Sequence, residues 1–568
     1  MTQRAHRAWP LLAITLGAAL GLGASCSQRN PPPVRPEPRP TPSQPQAARA
    51  PDLRLYFLVD LDGYLEPCGC QSRPLGGIDR IAQAIEADGA PAGSRLVVAT
   101  GNLFFEHPAI ETQMVFQEQA KAERIAAILN RLGLAAWAPG PSDFALGAER
   151  FRALSGALRA PGLASNAALG GPTLVTVGGR KVGVVGVSDF RPAEGDAPAG
   201  APSAGDPVSA ARAGVAAMRA QGAEVVVLLA STPRRVARSL AELEGVDFVV
   251  AAREESATLS QPERIGGAYL VTAPSQGRGL GVVDLYLGGA GPFRDASDSS
   301  RTAQRARLDQ RIGDLETRLD AWRRDPSVDR GAVSAQQARL AALRAERAAL
   351  DAPVVLPREG RFFQARARLI DPDVARQSAT QAEIAAYFRA VNDHNRESYA
   401  SLRAPTPAPG QPRYLGGEAC RDCHEEAFAV WERTPHSHAY RTLEEVSKNF
   451  NLSCVGCHVT GYRQPGGAEV VQNDGLRDVQ CEVCHGPGSA HAAARGAAQR
   501  RATIRRTVDG TFCAGNCHTP EHSDHFDFAT YLPRILGPGH GRPLADADAG
   551  VAAPQPAAQA HAPAAPGR

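Results

Sequence analysis

Lysine is nearly absent: only Lys121, Lys181 and Lys448 carry an ammonium group, and the rest of the positive charge is arginine. Net charge is only +3, which leaves no strong basic field for holding nucleic acid by phosphate neutralisation. Aromatic residues make up just 5%, so aromatic packing is thin. Methionine is confined to Met1, Met114 and Met218. Beyond the first 26 residues no stretch reaches the roughly 18 consecutive apolar residues that a membrane span needs. A single histidine, His107, lies between Leu53 and Leu287, too few for a multi-histidine metal centre there.

Against these absences, the chain has 43% hydrophobic and 21% charged residues, a globular composition rather than a disordered or collagen-like one. Its 568 residues give a prior of three or four units. Residues 1–26 read as an export signal: Arg4 and Arg7, a short apolar stretch from Leu11 to Leu22, then Gly23-Ala24-Ser25 before Cys26. Small residues running into a cysteine resemble a bacterial lipobox, with Leu22 one place earlier than the usual leucine. The resemblance implies lipidation at Cys26; the alternative is ordinary cleavage that leaves Cys26 free. The expected location is the bacterial cell envelope, periplasm-facing or on the surface, with the membrane reached through a lipid anchor. Residues 27–51 form a Pro-rich tether, and residues 543–568 an Ala/Pro/Asp tail expected to be disordered.

Eleven cysteines are present, eight of them in four pairs between Cys420 and Cys517. The pairs are Cys420/Cys423, Cys454/Cys457, Cys481/Cys484 and Cys513/Cys517, each followed at once by a histidine: His424, His458, His485 and His518. C-x-x-C-H is the attachment motif of c-type haem. Two thiols a helical turn apart add to the vinyl groups, and the adjacent imidazole becomes the proximal iron ligand. Zinc also takes paired cysteines and histidines, but zinc ribbons do not require a histidine directly after the second cysteine. Local disulfides suit an exported protein yet leave the four histidines unexplained. The expectation is four haem c groups, the last through a motif with one extra residue, Cys513-Ala-Gly-Asn-Cys517.

Methionine cannot supply the opposite iron ligand from within this region. Between Tyr414 and Arg542 there are ten histidines; beyond the four in the motifs stand His436, His438, His491, His522, His525 and His540. They suffice for bis-histidine coordination, with Lys448 a remote alternative. Tyr414-Leu-Gly-Gly-Glu-Ala-Cys420, His436-Ser-His438-Ala-Tyr-Arg-Thr-Leu443, Cys457-His-Val-Thr-Gly-Tyr462 and Cys481-Glu-Val-Cys-His-Gly-Pro-Gly-Ser-Ala-His491 resemble the tetrahaem cytochromes c that accept electrons from hydroxylamine oxidoreductase. The resemblance covers roughly residues 412–545 and implies distal ligation by His436 and His491; Gly537-Pro-Gly-His540 makes His540 the next choice. Four haems over residues 414–542 leave roughly 33 residues each, too few for a sizeable apolar core. The porphyrins themselves are then the core.

Residues 52–298 alternate apolar runs with helical stretches. Strands are expected over 53–59, 95–100, 181–187, 225–229, 248–251, 269–272 and 282–287, and helices over 113–132, 207–220 and 233–243. That order predicts a layered α/β domain. Its words resemble the metallophosphoesterases of the 5'-nucleotidase type. Asp60-Leu-Asp62-Gly stands where that family has Asp-x-His-Gly, Thr100-Gly-Asn102 for Gly-Asp, and Gly140-Pro-Ser-Asp143-Phe for Gly-Asn-His-Glu-Phe. Gly76-Gly-Ile-Asp-Arg80 and Ala164-Ser-Asn166 look like further words. The resemblance implies the fold but not the hydrolase, because the positions that would hold two metals read Asp62, Asn102, Pro141-Ser142, Ser231, Arg253 and Glu255. Glu66-Pro-Cys68-Gly-Cys70 is a strained spacing for a disulfide. It is either a metal or redox site, an outside ligand to a haem, or a pair of buried or oxidised thiols at a turn.

Residues 299–352 carry Leu308, Ile312, Leu315, Leu319 and Trp322 at four-three spacing, which predicts a coiled-coil helical hairpin. Residues 353–402 read as a strand-and-helix extension and 403–413 as a linker. The fold class is therefore multidomain: a metallophosphoesterase-like α/β layered sandwich, a helical hairpin, then a mainly α and irregular multihaem cytochrome c domain. The leading functional expectation is electron transfer between redox partner proteins of the cell envelope. Alternatives are a multihaem reductase of a small nitrogen or sulfur oxyanion, a metal-dependent phosphohydrolase with attached haems, and an N-terminal domain that only docks a partner.

Overall fold

A computed structural model describes residues 49–67, 74–167, 169–192, 197–252, 261–324, 329–351, 357, 359–519, 523 and 526–542, the side chains of 299–304 and 324 excepted. The expected export signal, Cys26, almost all of the tether, Cys68, Cys70, Arg253, Glu255, His522, His525 and the 543–568 tail lie outside the described residues. The chain divides into Met1–Ala50 and Pro51–Arg568, and every described strand and helix lies in the second unit. No helix among the described residues is long and apolar enough to cross a membrane.

The N-terminal half alternates as expected: β1 (Leu53–Val59), α1 (Ile78–Ala87), β2 (Arg95–Gly101), α2 (Val115–Leu132), β3 (Leu134–Pro139) and α3 (Gly147–Ala157). Next come β4 (Thr173–Val177), β5 (Arg180–Ser188), α4 (Pro207–Ala220), β6 (Val225–Ser231), α5 (Arg234–Ala241) and β7 (Phe248–Ala251). They are followed by β8 (Glu263–Ile265), β9 (Ala268–Val271), β10 (Gly279–Gly288) and β11 (Arg294–Asp295). The long helices α6 (Ser299–Arg324) and α7 (Arg330–Ala349) precede β12 (Gly360–Leu369) and α8 (Ser378–Ser398).

Two six-stranded sheets result, ordered β11-β12-β10-β1-β2-β3 and β4-β5-β6-β7-β9-β8. β1, β2 and β3 are parallel, as are β5, β6, β7 and β9, while β10 runs antiparallel to β1. Period-two alternation decides which face each side chain takes. Leu53, Leu55, Phe57 and Val59 point into a buried layer shared with Val182, Val184, Val225, Val227 and Leu229 of the other sheet. Tyr56 and Leu58 point the opposite way, onto a core built with α1, α2, α3 and α8. α4 and α5 cover the outer face of the second sheet. The architecture is a four-layer α/β/β/α sandwich.

The strand and helix expected after residue 353 pack with the N-terminal half. β12 pairs with β10 over ten residues, and Ile384, Tyr387 and Val391 of α8 belong to the first core. β12 and α8, inside the expected strand-and-helix segment, thus belong to the first sheet and its core, and α6 and α7 stand between β11 and β12. The insertion is an antiparallel pair that buries Leu308, Leu315, Leu319, Leu340 and Leu343. Arg344–Glu316 at 2.6 Å and Arg347–Asp309 at 2.8 Å cross between its helices.

From residue 414 onward the character changes. Helices are four to seven residues long, among them Glu418–Arg421, Glu425–Trp431, Ala439–Glu444, Cys481–His485 and Gly510–Asn516. The apolar cluster of this half consists of Tyr440, Val455, Val459 and Ala468, with Tyr462 and Leu476 against it. Helices this short are unstable alone in water, and so small a cluster does little to hold them.

Candidate functional site

Each strict cysteine motif is a single tight turn, which brings residues three and four apart to one side. The N–H of His424 closes on the Cys420 carbonyl at 3.0 Å. The second motif is a 3-10 turn over Val455–His458, and the third is the helix Cys481–His485. In the expanded motif, helix Gly510–Asn516 carries Cys513, and the N–H of His518 closes on the Cys513 carbonyl at 2.9 Å. That contact spans five residues instead of four, a π-type turn. The extra residue is absorbed by widening the turn, and His518 still closes on the carbonyl of its first cysteine, as His424 does.

Three motif histidines face one of the spare imidazoles. His424 and His491 have ring centroids 6.1 Å apart with planes at 26°, His485 and His540 are 6.3 Å apart at 17°, and His518 and His436 are 6.3 Å apart at 53°. Two metal–nitrogen bonds of about 2.0–2.1 Å, with about 1.2 Å from each nitrogen to its ring centre, put centroids roughly 6.4–6.6 Å apart. The pairs have the spacing of two imidazoles on opposite sides of one metal ion. Second nitrogens are anchored: Nδ1 of His485 lies 2.7 Å from Arg505 O, that of His491 2.9 Å from Arg500 O, and that of His458 2.5 Å from Ala439 O. A carbonyl that accepts from Nδ1–H fixes the tautomer whose Nε2 is bare. Burial, with His518 alongside, pulls His436 down to about 4, and burial followed by His485 and His424 lowers His540. Both imidazoles are therefore held in the neutral form that binds metal. The residues present fit haem.

All eight motif cysteines are free thiols and none is in a disulfide. Cys481 is the largest influence on the Cys420 thiol, and Cys457 on that of Cys517. The first motif thus sits beside the third, and the second beside the fourth. Cys423 is exposed, whereas the other seven motif thiols are half-buried. The reason is local. Its turn runs along the surface, with Arg421, Asp422, His424 and Glu425 exposed around it. Cys423 is therefore the motif thiol most open to solvent, at the outer edge of the first site. Of the remaining spare ligands, His438 has its ring 3.4 Å from Ser437 Oγ. Lys448, offered as a remote ligand, is instead bonded to Glu66 at 2.9 Å and lies 3.9 Å over the Phe388 ring.

Glu482 was not singled out in the sequence. It is 1% exposed, and its carboxylate accepts from the N–H groups of Leu415, Gly416 and Gly488 at 2.7–3.0 Å. It ties the Tyr414-Leu-Gly-Gly segment to the Gly486-Pro-Gly segment around the first and third motifs. A carboxylate inside a haem motif with glycines on both sides was the available signal.

The second constellation lies at the carboxyl ends of β1, β2 and β3. Asp60 and Asp62 adopt left-handed backbone conformations, with φ of 39° and 52°. Asn102 donates its N–H to Asp60 Oδ1 at 3.1 Å, and its own Oδ1 accepts the Ser142 N–H at 3.0 Å. A Cβ on Gly101 would fall 1.9 Å from Asp60 Oδ1, so only glycine fits there. Burial first, then Asp60, raises the Asp62 carboxyl well above its ordinary range. Asp143 accepts from the N–H groups of Leu103, Phe104 and Gly140 at 2.8–2.9 Å, and burial pushes it up to about 7 against those donors. The Ser231 hydroxyl, where a metal ligand would stand, is buried with no partner. Among the described residues no group of three or more His, Cys, Asp or Glu is arranged to hold a metal ion.

Asp143 therefore has a scaffold role, joining the turns that follow β2 and β3. Asp143→Ala leaves three buried N–H groups without acceptors, at about 1–3 kcal/mol each. Thermal unfolding of the N-terminal half should move down steeply; an unchanged transition would contradict this. The carboxyl's raised value also sets a pH dependence, with the sign of an acid that holds its proton more tightly when folded. That contribution is complete below the unfolded value near 3.8 and is lost as pH rises through about 7.

Residues 419–486 match the family described as cytochrome c554 and c-prime. The chain is 32% identical over 104 residues to cytochrome c-554 of Nitrosomonas europaea, a match covering 16% of this chain and 42% of that protein. It thus spans less than half the length of this curated relative. Solved structures similar to the chain include a 5'-nucleotidase precursor from Thermus thermophilus, at 15% identity and TM-score 0.40, over 75% of this chain and 87% of that one. A calcineurin-like phosphoesterase from Bacillus subtilis is similar at 21% identity and TM-score 0.33, over 42% and 86%. A putative 5'-nucleotidase from Staphylococcus aureus is similar at 15% and 0.35, over 41% and 51%. Over residues 419–486 the cysteine-motif half is thus similar to cytochrome c554 and c-prime, and 5'-nucleotidases and a calcineurin-like phosphoesterase are among the solved structures similar to the chain.

Proposed function

We propose that the protein is an exported electron carrier of the cell envelope. In this reading it is held to a membrane through lipid on Cys26 and exchanges electrons with redox partner proteins through four haem c groups. The observation that carries the reading is the set of three facing imidazole pairs at 6.1–6.3 Å, each containing one motif histidine. Bound haem supplies one-electron chemistry, at a potential set by its axial ligands, hydrogen bonds and burial. The chain's own residues do the positioning. Cys420/Cys423, Cys454/Cys457, Cys481/Cys484 and Cys513/Cys517 would attach the groups, and His424, His458, His485 and His518 would be iron ligands. His491, His540 and His436, which face His424, His485 and His518, would be the second ligands in the first, third and fourth sites. The carbonyls of Arg505, Arg500 and Ala439 keep their imidazoles oriented. The first motif adjoins the third and the second the fourth, and Cys513 acts on Cys484, which links the two pairs into one relay.

A carrier is reduced by a low-potential donor and reoxidised by a c-type acceptor without consuming substrate. Stopped-flow spectra of the matured soluble protein should show this full cycle, with no oxidation by nitrite, hydroxylamine, sulfite or tetrathionate beyond background. Rapid reoxidation by one of those compounds would replace the carrier reading with that of a reductase.

A further inference from the structure

The four motifs are not equivalent in what surrounds them. The second is launched from the seam between the two halves of the chain. Phe450, which lies in the segment leading to Cys454, is held at both backbone groups by α8. Its N–H is accepted by Asn392 Oδ1 at 2.9 Å, and its carbonyl accepts from Asn395 Nδ2 at 2.9 Å. Gln117 of α2 takes Leu452 and Ser453, its Oε1 accepting from Leu452 N–H at 3.2 Å and its Nε2 donating to Ser453 Oγ at 3.0 Å. Gln117 and Asn395 are 2% and 1% exposed. Asn451, also buried, receives the N–H groups of Cys454 and Val455 on its carbonyl at 3.0 and 2.9 Å.

These are specifying contacts rather than a general adhesive. A buried amide is costly unless its polar atoms are paired, and once paired it admits one geometry. Two buried amides from the α/β domain, each bonded to backbone or side chain within five residues of a haem cysteine, fix where that cysteine stands. Tyr387 of α8 closes the seam: it is buried, its hydroxyl donates to Gln117 O at 3.3 Å, and Cys454 is among the groups that act on its phenol.

We propose that the α/β domain is a structural part of the second haem site, with Gln117 and Asn395 as positioning residues for the group attached at Cys454 and Cys457. The proposal rests on the reading of the four motifs as haem sites, and assigns to a domain without its hydrolase ligands the task of seating and shielding one haem. Cutting Gln117 or Asn395 back opens the seam to water. Water stabilises the more highly charged ferric state, so the potential of that haem falls.

The test is an optical redox titration of the full-length matured protein, as wild type, Gln117→Ala and Asn395→Ala. Each variant should keep its haem content while one midpoint potential becomes more negative and the others stay. The potential that moves should be the one missing from a Cys454→Ser, Cys457→Ser double variant. If Gln117→Ala and Asn395→Ala do not mature, Asn392→Ala removes one acceptor at the rim of the seam and decides by the same reading. Unchanged potentials with haem intact, or all potentials moving together, overturn the proposal. A wild type without haem sinks the cytochrome reading instead.

Discussion

Made without haem attachment, the chain should yield a folded N-terminal half and an unfolded C-terminal one. Residues 52–398 have three buried apolar cores layered around two sheets, the burial that stabilises any α/β domain at about 25 cal/mol per Å² of apolar surface. Residues 414–542 have one small cluster around Tyr440 and Val455 and helices of four to seven residues, far below the roughly 12–15 that stand alone. The porphyrin faces must supply the missing core. Limited proteolysis of the eight-cysteine-to-serine variant should remove everything beyond the 403–413 linker and leave the sandwich intact. A protease-resistant 414–542 region in that variant would show that the side chains suffice.

Loss of one distal histidine should change one haem and leave the rest. His436→Ala, His491→Ala and His540→Ala each remove the ring that faces His518, His424 and His485 respectively. Each variant should convert about one quarter of the haem from low to high spin, read by electron paramagnetic resonance and by the near-infrared ligand bands. His438→Ala, whose ring contacts Ser437 instead, should be the quieter change. A variant that alters no haem, or several at once, contradicts the pairing.

Much of the α/β domain was legible because its strands are short runs of Val, Leu, Ile and Ala with helices between them. β1, β7 and α4 fall on the residues that the pattern marks. β3 was missed: Leu134-Ala-Ala-Trp-Ala-Pro139 has no β-branched residue, ends in proline, and follows α2 after a single left-handed Gly133. The strand over 360–369 was legible but its partner was not, because pairing with β10 is non-local and a helical hairpin intervenes. The haem motifs stood out by spacing alone. Their burial did not, and the exposure of Cys423 beside seven half-buried thiols depends on how the first turn lies against the rest of the domain. Which imidazole faces which was hidden too, since His436 precedes three of the four motifs in sequence yet meets the last one, His518, across 82 residues. The wider turn that rescues the expanded motif is also a matter of backbone hydrogen bonding, invisible in the letters. The polar seam at Gln117 and Asn395 has no sequence signature, because an isolated amide on a helix reads like any exposed one.

Covalently attached haem survives denaturation, so intact mass of the matured, soluble protein under denaturing conditions counts the groups on the chain. The account predicts the polypeptide mass with four haems added, unaffected by denaturant because every attachment is covalent. Three haems would remove the Cys513 site. None, after competent maturation, with zinc found in their place, would contradict the account altogether.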